Sequence, residues 1–191
     1  KYNYAPTSRT VSPVSYFAPG NGALTDFPPS EGVTLKGNNN QLIFDFGKLV
    51  GGIVTVSYSA TGGGNLGMAF TEARNWTGEN SDSSNGSFNP DGAVLATITT
   101  TAAANFTMPD AKLRGGFRYL TLFTQTPNQI NVNIHDITVE IAFQPTWSNL
   151  RAYQGYFSCS DPLLNKIWYA GAYTLQTNAI PPKTGRQFPI L

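Results

Sequence analysis

Apolar side chains in this chain recur at every second position rather than every third or fourth. Leu42, Phe44 and Phe46 alternate with Ile43 and Asp45, and after Gly51-Gly52 the residues Val54, Val56 and Tyr58 alternate with Ile53, Thr55 and Ser57. A period of two belongs to a strand whose side chains point in turn to opposite faces, so this stretch is expected to form two strands with a short connection. Thr61-Gly62-Gly63-Gly64-Asn65 is a turn, after which Leu66, Met68 and Phe70 resume the alternation. Further strands are expected over 93–100, 104–108 and 116–123. In the last, Phe117, Tyr119, Thr121 and Phe123 take one face and Leu120 and Leu122 the other, the pattern of a central strand. Between 130 and 143 the parity shifts, with Ile130, Val132 and Ile134 followed by Ile137, Val139, Ile141 and Phe143. A bulge near His135-Asp136 keeps both halves on the core. About seven or eight short strands without alternating helices predict an all-β fold, an antiparallel jelly-roll-like β-sandwich.

The flanks read differently. Residues 1–40 carry Pro6, Pro13, Pro19, Pro28, Pro29 and the run Gly37-Asn38-Asn39-Asn40, so they are expected to be extended and turn segments packed on the sandwich. Residues 41–157 form the sandwich domain, and 158–191 a linker helix leading onward. Ser160 or Asp161 is suited to cap that helix, Pro162 fits its first turn, and Leu164, Ile167, Trp168, Gly171 and Leu175 follow at helical spacing. Pro181-Pro182 ends it, and Phe188-Pro189-Ile190-Leu191 is an apolar ending for which further chain is expected.

The run from Gly155-Tyr156-Phe157-Ser158-Cys159-Ser160-Asp161 through Leu164-Asn165 and Ile167-Trp168-Tyr169-Ala170-Gly171-Ala172-Tyr173-Thr174 resembles the lead-in to the catalytic domain of fungal α-L-rhamnosidases of glycoside hydrolase family 78. Upstream, the run from Phe44 to Val54, Ala69-Phe70-Thr71-Glu72-Ala73, Asp91-Gly92-Ala93 and Phe117-Arg118-Tyr119-Leu120-Thr121 resemble the β-sandwich that precedes it. The resemblance runs from about Gln41 to Pro189. It implies an enzyme whose catalytic carboxylates sit in an α-helical toroid beyond Leu191. This chain would then be the front portion, without the chemistry, and its partner would be the rest of the same polypeptide, with rhamnose-containing glycans as ligands.

Composition narrows the alternatives. The formal net charge is +1 and charged residues make up 12% of the chain, with no Lys/Arg cluster, which argues against nucleic acid or an anionic membrane as partner. No apolar run approaches the ~20 residues of a membrane span. Lys1-Tyr2-Asn3-Tyr4 lacks the apolar core of a signal peptide and reads as a mature terminus. The loop-rich composition fits a secreted, extracellular β protein. The sequons at Asn75, Asn85 and Asn105 are N-glycan acceptors if the chain is secreted. The single Cys159 allows neither an intrachain disulfide nor a cysteine metal site.

Eleven acidic residues are present, and none forms a recognisable acid/base pair of the kind glycoside hydrolysis uses. No catalytic residue and no cofactor is expected. His135, the only histidine, sits at a strand irregularity and has a sufficient structural reason there. The candidate contact region is the aperiodic loop over 72–92. Trp76 can stack on a sugar face, and Glu79, Asp82 and Asp91 can accept hydrogen bonds from hydroxyl groups. Those carboxylates match no calcium-loop signature, so no metal is expected. The same loop can instead face the catalytic domain, which is the preferred reading. Two functions remain open: the non-catalytic front of a secreted rhamnosidase-like hydrolase, or a stand-alone carbohydrate-binding module or lectin whose terminal helix folds back to close its core.

Overall fold

The structure is a computed structural model that describes residues 1–20, 22–37, 40–83, 90–125 and 130–181. Two antiparallel sheets face each other. The first has the order β1 (Thr10–Val11), β11 (Asn131–Ile141), β6 (Gly52–Thr61), β9 (Thr101–Thr107), and β4 (Val33–Lys36) pairs with the other end of the β11 edge. The second has the order β3 (Thr25–Asp26), β2 (Ser15–Phe17), β5 (Gln41–Val50), β10 (Phe117–Gln125), β7 (Gly64–Thr71), β8 (Val94–Ile98). The chain changes sheet between β5 and β6, β6 and β7, and at each step from β8 to β11, which gives the expected jelly-roll-like sandwich.

The inward residues are those the alternation singled out. Phe44, Phe46, Leu66, Met68, Phe70, Leu120 and Leu122 of one sheet meet Val54, Val56, Tyr58, Val132, Ile134, Ile137 and Val139 of the other in one buried cluster. The parity change in β11 is a register shift between Ile134 and Asp136 against β6, so both halves keep their apolar side chains on the core. Gly52 opens β6 opposite Ile141 of β11. A Cβ there would lie 1.8 Å from the Glu140 carbonyl oxygen, so no other residue fits.

Two features depart from the sequence reading. The described residues before β5 contribute four short strands to the two sheets, and they supply Ala5, Phe27, Val33 and Leu35 to the main core. Strands of two to four residues between prolines are too short to show a period. In β10, a register shift between Phe117 and Tyr119 against β5 brings Phe117 onto the inner core, leaving Tyr119 on the outer face with Phe17 and Ile43. Phe117 there meets Phe46 and Phe70 edge-on, with ring centroids 5.7 and 4.9 Å away.

Helix α1 (Pro162–Asn178) follows the sandwich. Asp161 caps it, its Oδ1 accepting from the Leu163 amide at 2.7 Å, and Pro162 occupies the first turn. Asn165 clamps the approach by accepting from the Cys159 amide and donating to the Cys159 and Asp161 carbonyls. Further along, the Tyr173 hydroxyl donates to the Leu49 carbonyl and its ring meets Phe143 edge-on. Gln176 donates to the Leu150 carbonyl and accepts from the Tyr153 hydroxyl.

Burial pushes the Tyr173 hydroxyl well above the ordinary tyrosine range, and pushes Tyr153 up as well. An unfolded tyrosine ionises near pH 10. Above that pH the unfolded chain gives up a proton that the folded chain keeps, so stability falls as pH rises. Tyr173→Phe is therefore expected to make unfolding less sensitive to alkaline pH. Denaturation midpoints measured from neutral pH to beyond the tyrosine range check this, and an unchanged alkaline slope would contradict it.

Candidate functional site

The chain leaves β7 at Thr71 and returns to β8 through a loop held down at several points. A 3-10 turn at Arg74–Trp76 opens it, closed by the Trp76 amide on the Ala73 carbonyl at 3.1 Å and the Thr77 hydroxyl on the Arg74 carbonyl at 2.9 Å. The Arg74 guanidinium lies 4.4 Å over the Phe17 ring and donates to the Gly22 carbonyl at 2.8 Å. This ties the turn to the outer face of the second sheet. Trp76 itself is 75% exposed.

Glu79 is fixed by Gln41 of β5, whose Nε2 donates to its Oε1 at 3.0 Å. Ser81 bridges to Gly92 and accepts from the Phe70 amide. The Asp82 amide donates to the Phe70 carbonyl, and its Oδ2 accepts from the Glu72 amide at 2.8 Å. Asp91 has no exposed side-chain surface and pairs with buried Arg114 at 3.2 Å. The Arg114 Nη2 also donates to the Asp82 carbonyl at 2.7 Å. Burial lowers the Arg114 pKa, opposed by the charges of Asp91, Asp82 and Glu72.

Of the expected contact residues, Trp76 faces solvent and Asp82 is half-buried, while Glu79 is held by Gln41. Asp91 belongs to the anchor beneath the loop, because its carboxylate is turned into the protein against Arg114. The sequence reading missed Arg74, Asn80, Ser81 and Arg114. Arginines among the aromatic and acidic residues of one aperiodic loop were the available signal for Arg74, but nothing local marks Arg114 as the partner of Asp91.

Of the hollows that border the loop, two share Asp82 and Ser83. One, of about 320 Å³, is lined by Trp76, Asn80, Ser81, Asp82, Ser83 and Pro90. The other, of about 180 Å³, lies toward the end of α1 and is lined by Phe70, Glu72, Asp82, Ser83, Arg114, Gly115, Gly116 and Asn178. Among the described residues, no three His, Cys, Asp or Glu side chains stand together as a metal-binding group. His135 is exposed on the first sheet, its Nε2 3.0 Å from the Ser59 hydroxyl.

Asn75 lies exposed on the same turn as Trp76, and Asn105 lies exposed on β9, its Oδ1 accepting from Ser57. The sequon at Asn85 and the segment from Pro182 to Leu191 lie outside the described residues.

Helix α1 is a second candidate surface. The spacing of Leu164, Ile167, Gly171 and Leu175 sets them along one side of a helix that turns about 100° per residue. Leu164, Ile167 and Leu175 are exposed by 50, 58 and 76%. A Cβ added at Gly171 would meet nothing within 4 Å. The side that packs on the sandwich is instead Tyr173, Gln176 and Thr177, while Asn165 is buried against the residues that lead into the helix. Among the described residues, no helix is long and apolar enough to cross a membrane.

No protein-family model and no curated protein sequence matches this chain. Solved structures do. A rhamnosidase from Klebsiella oxytoca with rhamnose bound superposes with a TM-score of 0.60 at 16% identity, covering 88% of this chain and 34% of that one. A glycoside hydrolase family 78 rhamnosidase of Bacillus sp. GL1 gives 0.55 at 21% identity, covering 84% of this chain and 15% of that one. An α-L-rhamnosidase from Dictyoglumus thermophilum gives 0.54 at 18%, covering 94% of this chain and 17% of that one. These three neighbours are rhamnosidases. At these identities the likeness is one of fold, and the chain spans about a third or less of each neighbour.

Proposed function

We propose that this chain is the non-catalytic β-sandwich portion of a secreted α-L-rhamnosidase-like glycoside hydrolase, and that the outer side of α1 is the seat of the catalytic portion. The observation that carries the reading is the reversed polarity of α1. It packs Tyr173, Gln176 and Thr177 on its own sandwich side, closes Asn165 on its own cap, and turns Leu164, Ile167 and Leu175 to solvent. Because they are already partly covered, burying the rest of each of those three side chains contributes about 1–2 kcal/mol, so the face favours a covered state. The fold likeness to a fraction of longer rhamnosidase chains supports the identity of the cover. The exposed sequons at Asn75 and Asn105 fit secretion and glycosylation.

A stand-alone sugar-binding module is the second reading; α1 does fold back on the sandwich, with Tyr173 joining the main core, but it leaves Leu164, Ile167 and Leu175 outside that core. The test is hydrolysis of an aryl α-L-rhamnoside by the pure, monomeric chain. No turnover is expected, and turnover that survives further purification would overturn the proposal. A companion variant, Leu164→Ser with Ile167→Ser and Leu175→Ser, is expected to leave the melting temperature of the chain essentially unchanged while lowering its self-association.

A further inference from the structure

We propose that the hollow beside Trp76 binds one ring of a neutral sugar. This is a different surface from the outer side of α1, and it stands whether or not that helix carries a catalytic portion. An indole left three-quarters exposed is not explained by packing, since its removal from the fold would uncover little. The turn beneath it is nonetheless anchored. Arg74 fastens it to Phe17 and Gly22, Gln41 holds Glu79, and the Arg114–Asp91 pair with Ser81 pins the far end of the loop. An anchored aromatic surface binds without first being ordered, which is what preorganisation contributes to affinity.

The lining selects the ligand class. Trp76 and Pro90 provide an apolar wall, while Asn80 and Asp82 provide polar groups. Asp82 uses Oδ2 on the Glu72 amide, leaving Oδ1 for a donor, and Asn80 is exposed at the rim. An apolar ligand would desolvate these groups without replacing their hydrogen bonds. An anion has no cation to receive it, because among the described residues no Lys or Arg lines the hollow. A neutral ligand with an apolar C–H face and hydroxyl donors meets both requirements. A hollow of about 320 Å³ falls at the small end of ligand pockets, the size for a single sugar ring.

The test is a titration of the isotopically labelled chain with L-rhamnose, methyl α-L-rhamnoside, D-mannose, D-galactose and D-glucose, read at the three tryptophan indole N–H resonances. The expected result is a saturable shift of the Trp76 resonance with at least one of these sugars, with Trp147 and Trp168 unmoved. Trp76→Ala should weaken binding at least about tenfold with the melting temperature unchanged, and Trp76→Tyr should retain most of it. Asp82→Asn should weaken it by a smaller factor. The proposal is overturned if none of these sugars gives a saturable shift at its solubility limit, or if Trp76→Ala binds like the parent. Because the readout is binding, a negative result leaves the hydrolase reading to its own assay.

Discussion

Asp91→Ala is expected to destabilise the chain by about 3–5 kcal/mol, the usual consequence of removing one member of a buried ion pair. Arg114 is 7% exposed, and its guanidinium is balanced by Asp91 at 3.2 Å. Its Nη1 already has no hydrogen-bond partner among the described residues, so the group has little left with which to compensate. Losing the carboxylate would leave the buried guanidinium with only the charges of Asp82 and Glu72 nearby, and the loop it pins would open first. Arg114→Met in the Asp91→Ala background should recover much of the loss, because it removes the stranded charge and keeps the side-chain volume. Urea unfolding of the two variants decides the matter. A loss under about 1 kcal/mol for Asp91→Ala would mean that the pair is solvated and that the loop does not depend on it.

Phe44→Ala should cost a comparable amount, about 3–5 kcal/mol, through lost apolar burial and the cavity left behind. Phe44 is fully buried at the centre of β5, opposite Leu120 of β10 and Tyr16 of β2. Its ring meets Phe27 edge-on at 5.1 Å and Tyr16 at 6.0 Å, so it joins the amino-terminal strands to the sandwich. The variant should therefore loosen β2 and β3 as well as lower global stability. Since Arg74 rests on Phe17 of β2, the Trp76 turn should gain mobility too. Hydrogen exchange faster at Ser15–Phe17 and around Arg74–Trp76 than the global loss accounts for is the expected signature. Uniform acceleration across the chain would contradict this linkage.

How much of this was legible depended on the range of the interaction. Period-two alternation is local, so the inner faces of β5, β6, β7 and β11 could be read directly, together with the parity break at His135-Asp136 that the register shift resolves. The cap at Asp161 was also local. The reassignment of Phe117 to the inner core follows from a bulge that alternation alone does not signal. The pairing of Asp91 with Arg114 joins a loop to a segment that meets it only in the folded chain. On α1 the apolar spacing was plain, but which side would meet the sandwich was not. Leu164 and Ile167 stay exposed, whereas Tyr173 and Gln176 find hydrogen-bond partners at Leu49, Leu150 and Tyr153 and take that side, and Asn165 closes on Cys159 and Asp161 at the start of the helix. At the candidate site, Trp76 and Asp82 could be named from residue type. Their anchoring by Arg74 and Arg114 could not.

The central claim is that the outer side of α1 is covered by the catalytic portion of a rhamnosidase-like polypeptide. Its most direct test is hydrogen exchange over Pro162–Asn178, measured on this chain by itself and on the longer rhamnosidase-like polypeptide to which we assign it. The account predicts that the helix exchanges more slowly in the longer polypeptide, by on the order of a hundredfold, and that replacing Leu164, Ile167 and Leu175 by serine abolishes the difference. Equal exchange in the two settings would contradict it, because the apolar side of α1 would then stay open to water with the catalytic portion present.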